Sequence, residues 1–122
     1  MASSPTLRTK TALARIVDAL KHFAKDRGWE PDDYEIQFRV SEQWGRISVM
    51  LIAEDFGGLS NREMWNQLFD YVEKELNQGP DIGFSLGLSV REKKQVEQGG
   101  PYSIPLGYVD YKELLLIPSA SD

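Results

Sequence analysis

The chain has 122 residues, 41% of them hydrophobic and 27% charged, with a net charge of −5 and no cysteine. This length suits one domain that buries roughly 65% of its unfolded surface without staples, and the lack of cysteine excludes disulfides, thiolate nucleophiles and Cys-held metal clusters. The acidity disfavours nonspecific affinity for nucleic acid or anionic membrane; with no apolar run of membrane-spanning length and no apolar signal core in "MASSPTLRTKT", the expectation is a cytoplasmic protein with no membrane partner.

The first periodic segment is "PTLRTKTALARIVDALKHFAKDRGW". Leu13, Ile16, Val17, Leu20 and Phe23 or Ala24 recur at three- and four-residue steps, which predicts a helix over 5–27 with one apolar stripe. Ser4 then Pro5 suits an N-cap followed by the first helical position. Gly28 suits a left-handed stop, with Trp29 packing back on Phe23 and Ala24. Residues 1–30 carry six cations against three anions, net +3, while the remainder is net −8. Arg8, Lys10, Arg15, Lys21 and Lys25 therefore form a basic face on an acidic body, either a solvated face or a steering surface.

Period two follows. Ile36, Phe38 and Val40 alternate with polar residues, and Ile47, Val49 and Leu51 form a second alternating set after "SEQWG". These predict an antiparallel hairpin with Gly45 in the turn. Met50 and Ile52 on the opposite face of the second strand predict that it is interior and partly covered on both sides.

"EDFGGLSNREMW" joins that strand to the next helix. Ser60 and Glu63 fit the S-x-x-E capping box, with Leu59 and Met64 at staple spacing. Neither G-x-x-x-x-G-K-[ST] nor G-x-G-x-x-G occurs here, and Glu54 and Asp55 would repel an anion. The glycines are read as a helix start. Trp65, Leu68, Phe69, Val72 and Leu76 share one side of that helix, which ends at "NQGP". Phe84, Leu86, Leu88 and Val90 form a third strand with small residues Ser85, Gly87 and Ser89 opposite. If it runs parallel to the second strand, the crossover should be right-handed. Residues 91–98 read equally as a short polar helix or a strand extension. After the loop "GGPYSIPL", the apolar run Leu114 to Ile117 before Pro118 predicts a fourth strand.

The expected architecture is α+β, α-β-β-α-β-(β): a three- to four-stranded mixed sheet packed against two main helices. The core spans about 5–92, with an added loop and strand over about 99–118. The segment "VMLIAEDFGGLSNREMWNQLFDYVEKEL" followed by "FSLGLS", in the order helix, strand, strand, helix, strand, resembles the BolA family, whose fold is related to type II KH domains. That family follows its second strand with Phe-x-Gly-x-Ser and a helix, and Phe56, Gly58 and Ser60 match without a gap. The resemblance covers about residues 13–92. The family's histidines are absent near Trp65 and near Ser89 or Val90, so its iron–sulfur partnership with glutaredoxins is not implied here. "GGLS" is also not the G-x-x-G loop of a KH domain.

Catalytic constellations are thin. His22 is the only histidine, which rules out a His-metal pair or a triad with a second His in one chain. Glu54, Asp55, Asp81 and Glu92 have the chemistry for a hard cation, but carboxylates at strand ends and helix starts are read as solvated or as favourable to the helix dipole. No serine sits in a G-x-S-x-G elbow. The expectation is a non-enzyme with no catalytic residue, no metal and no cofactor. Trp29, Trp44, Tyr102, Tyr108 and Tyr111 fall at turns and strand starts and, with Leu114 and Leu116 of the expected edge strand, are the interface candidates. They point to a protein-interaction or regulatory module, homodimeric and with an unidentified protein partner. An acidic secretion-chaperone-like client binder and a nucleic-acid binder through the basic first helix are the alternatives.

Overall fold

The computed structural model describes residues 5–116. Helix α1, Leu7–Asp26, buries the expected stripe of Leu13, Ile16, Val17, Leu20, Phe23 and Ala24. Its start differs from the expectation. Thr6 is the N-cap and accepts the Thr9 amide, while Ser4 lies outside the described residues. A tertiary contact selects Thr6: its hydroxyl lies 2.8 Å from Glu42 Oε2, and the buried Thr9 hydroxyl donates to the same oxygen at 2.6 Å. The far end behaves as expected. Gly28 is left-handed at φ 78°, Trp29 N–H returns to the Ala24 carbonyl, and the Phe23 and Trp29 rings meet edge-on at 5.9 Å.

Strands β1, Tyr34–Ser41, and β2, Arg46–Ala53, form the antiparallel hairpin, turned by Gly45 at φ 58°. Helix α2, Asn61–Leu76, starts on the Ser60–Glu63 capping box in full: each side chain accepts the other residue's amide. β3, Ser85–Glu92, runs parallel to β2. The chain then passes through α3, Lys93–Gln98, to β4, Val109–Asp110, and α4, Tyr111–Leu116. The sheet is four-stranded and mixed in the order β3-β2-β1-β4, so the fold is α+β as expected.

α1 and α2 cover one face of the sheet, where Ile36, Phe38, Ile47, Val49, Leu51 and Val90 complete the core. β2 is interior, and its second face is buried too, at Ser48, Met50 and Ile52. The register puts Arg39 beside Ser48 and Arg91 beside Ile52 on that second face. Residues 93–108 lie over it: the Arg91 guanidinium stacks on Tyr102 at 5.7 Å and that of Arg39 on Tyr108 at 5.0 Å. The segment thus travels from the β3 side of the sheet to β4 at the other edge, and Val96 and Ile104 line a cleft with Ile52.

Two sequence readings change at the C-terminus. The undecided stretch 91–98 divides: strand to Glu92, then helix, because Glu92 and Gln95 form a second capping box. The expected fourth strand over Leu114 to Ile117 is instead helical through Leu116, with Ile117 and Pro118 outside the described residues. A short leucine run is compatible with either state. The Asp110 carboxylate decides it by accepting the Lys112 amide at 2.8 Å, which turns the chain into a helix whose Leu114 is buried in the core.

Candidate functional site

The two outer sides of the sheet differ. A two-residue strand, β4, adds to the middle of the eight-residue β1, at Phe38 and Gln37; among the described residues β3 has no strand on its far side. Ser85 N–H donates to the Gly45 carbonyl at 2.8 Å, so the odd residues of β3 turn their backbone groups towards β2. Leu86, Leu88 and Val90 turn theirs outward. Two of these three carbonyls are occupied by side chains. Trp65 Nε1 donates to the Leu88 carbonyl at 2.9 Å, and the Val90 carbonyl accepts from Asn61 Nδ2 at 3.4 Å and from Arg91 Nη1 at 2.8 Å. Among the described residues nothing bonds to the outward N–H and C=O of Leu86.

Beside this open stretch lies a groove of about 400 Å³ between α2 and β3. Phe69, Val72 and Leu76 form the helix wall, Leu86 and Leu88 the strand wall, and Ile82 and Phe84 the end. Phe69 is 37% exposed and stacks on Trp65, with ring centres 5.0 Å apart and planes 14° apart. The volume falls at the low end of the range of small-ligand sites, roughly 300–1,000 Å³.

α1 shapes the groove's closed end. Arg15 donates to the carbonyls of Leu76 and Pro80, and Arg8 donates to the Gly83 carbonyl at 2.8 Å while lying over the Phe84 ring. The basic face expected on α1 is therefore divided among structural tasks. Arg8 and Arg15 hold the 77–84 loop, Lys21 lies 5.3 Å from the Tyr111 ring centre, and Lys10 and Lys25 make no such side-chain contact among the described residues.

The helix-start loop is also a structural element. Gly57 and Gly58 both take positive φ, 64° and 90°. The Phe56 amide donates to Glu92 Oε2 at 2.9 Å, and Phe56 itself is buried in the core. A carboxylate of the chain thus occupies the place an anionic ligand would seek, while Gly58, Ser60 and Glu63 serve the start of α2. The Ser60 amide, donating to the Glu63 carboxylate, draws its pKa below the ordinary value.

The aromatic interface candidates do not come together. Trp29 packs against Phe23 and Tyr34 beyond the C-terminal end of α1, whereas Trp44, 78% exposed, sits at the hairpin tip. That tip is tied to the N-terminal end of α1 through Glu42, about 30 Å away along the 20-residue helix. Tyr102 and Tyr108 belong to the segment over the second sheet face, and Tyr111 opens α4. The edge strand that was to carry Leu114 and Leu116 is α4: Leu114 faces the core and Leu116 is exposed.

In the sequence the apolar groove residues stand out only as one side of the second helix (Phe69, Val72, Leu76) and one face of the third strand (Phe84, Leu86, Leu88). The signal lay in α2, whose apolar residues form two rows. Met64, Leu68 and Val72 are buried, and Trp65, Phe69 and Leu76 lie beside them and are less covered, Phe69 and Leu76 lining the groove and Trp65 stacked on Phe69. His22 is on the α1 surface, 3.5 Å from Glu75. Among the described residues, no group of three or more His, Cys, Asp or Glu side chains is placed to hold a metal ion, and no helix is long and apolar enough to cross a membrane. No protein-family model matches the chain, and neither a curated protein nor a solved structure shows significant similarity to it.

Proposed function

We propose that the protein is a non-catalytic protein-interaction module and that the α2–β3 groove is its binding surface. One observation carries this reading: an apolar groove runs directly beside a stretch of sheet edge whose backbone groups bond to nothing among the described residues. Such an arrangement offers a partner both apolar area and main-chain hydrogen bonds. A client-binding chaperone is a narrower form of the same proposal. The BolA-like reading of residues 13–92 contributes no ligand set, because the residues that would hold iron and sulfur are missing, and the proposal stands without it. A cytoplasmic location, and a homodimer formed through a surface other than the groove, belong to the same proposal. Nucleic-acid binding through α1 has less support, since Arg8 and Arg15 spend donors on loop carbonyls.

The test places a photo-crosslinking residue at Phe69 in the groove, or at Tyr102 on the other face, in the cells that make the protein. Protein adducts formed from position 69 and not from position 102 are the expected result. Adducts to nucleic acid, or to protein from position 102 alone, would remove the groove from the function.

A further inference from the structure

We infer that the groove takes an extended segment of another protein as an additional strand beside β3, and that Trp65 sets where that strand stops. This rests on the reading of the groove as the binding surface, and adds the mode of binding and the chemistry of the partner.

The backbone defines the mode. Leu86 N–H, Leu86 C=O and Leu88 N–H point outward along one line, the spacing an added strand requires. The next acceptor, Leu88 C=O, is already held by the Trp65 indole, and the one after it by Asn61 and Arg91. A strand entering beside Ser85 therefore finds about four residues of edge, ~13 Å, before it meets the Trp65–Phe69 stack. Trp65 stands where the next strand N–H would lie. Edge strands are commonly guarded by side chains; here the guard covers half the strand and leaves the half that borders the groove.

Charge selects the occupant. The ionisable residues lining the groove are Glu73 and Asp81, both acidic. The nearest cations on α1, Arg8 and Arg15, are directed at the carbonyls of Gly83, Leu76 and Pro80. On the other face of the edge, Arg46 lies over Gly87: a Cβ added there would sit 3.4 Å from Nη2. An added strand therefore meets acid and apolar surface on its helix side, and a cation with little space on the other. The fitting segment carries alternating apolar and basic side chains on its groove-facing side, with small uncharged residues between them. A second copy fits less well. A two-fold pairing of β3 edges sets equivalent surfaces against each other, and Glu73 and Asp81 would then face their own counterparts.

The probe is a short blocked peptide alternating serine with lysine, valine and lysine, added to the ¹⁵N-labelled full chain. Binding should slow amide exchange at Leu86 and Leu88 and shift the Trp65 indole N–H. Replacing the peptide's lysines by glutamate should weaken binding by at least about tenfold, and Glu73→Lys, which leaves Asp81 to face one new cation, should remove most of that preference. If Phe69, Val72 and Leu76 respond while the Leu86 and Leu88 amides do not, strand addition is wrong and the groove remains the binding surface. If nothing in the groove responds to either peptide, both readings fall. Concentration-dependent protection of Leu86 without peptide would make a second copy the occupant and overturn the basic-partner assignment.

Discussion

The two edges of this sheet are closed by different means. At β1 the chain covers itself with backbone and core: β4 pairs with Phe38 and Gln37, and α4 packs Leu114 beneath them. At β3 the cover is side chain only, Trp65 and Asn61 over half the strand. An edge closed by backbone and buried leucine opens only when the fold does. An edge closed by an indole needs one rotamer change, and the difference separates a structural edge from one available to a partner.

Cutting into the closed edge should have the largest effect. Phe38→Ala removes a side chain with no exposed surface and should cost about 3–5 kcal/mol in urea denaturation. A loss below about 1 kcal/mol would mean that edge is as loose as the other. Arg15→Met, at the loop that closes the groove beside β3, should cost about 1 kcal/mol, because the carbonyls of Leu76 and Pro80 lose a donor near water. The same change should raise amide exchange across 77–84 while leaving β1 protected. Trp65→Phe keeps the ring and deletes the N–H. Stability should change by less than about 1 kcal/mol, and the alternating lysine–valine peptide should associate more tightly, because the Leu88 carbonyl becomes an additional acceptor for it. No change in association would argue that Trp65 is not the guard.

The smallest effect tests a contact outside both edges. The Thr9 hydroxyl, more than that of Thr6, holds the Glu42 carboxyl below its ordinary pKa of 4.5. In the unfolded chain the group returns to the ordinary value, so its contribution to stability is complete above pH 4.5 and fades as pH falls through the lowered folded value. Glu42→Gln should thus make stability less steep on the acid side and leave the slope near neutrality unchanged. Equal acid slopes for the two proteins would show that the contact is not kept in solution.

Most of the element order was legible in local pattern. The stripe of α1, the alternation of β1 and β2 and the Ser60–Glu63 box are set by neighbours three or four residues apart, or by every second residue. Short segments without such a pattern were not legible. Leu114 to Leu116 has no period of its own, and its state depends on the Asp110 cap and on a place against α1. The site was less visible than the fold. Phe69 and Leu76 stand out in the sequence only as part of one helix side, because their exposure depends on how far α2 sits from β3. Arg8 and Arg15 look like a basic face because the loop carbonyls they bind are about 60 to 75 residues away.

The sequence by itself determined the α+β class, the antiparallel hairpin, the helix start at Ser60 and the interior position of β2, since each rests on local periodicity or on one capping pair. Only the tertiary structure decided which sheet edge stays open, what covers the second face of β2, and that the α1 arginines close a groove. Those outcomes depend on where distant segments meet, and hydrophobic patterning is silent on that because burial records that a side chain is covered, not by what.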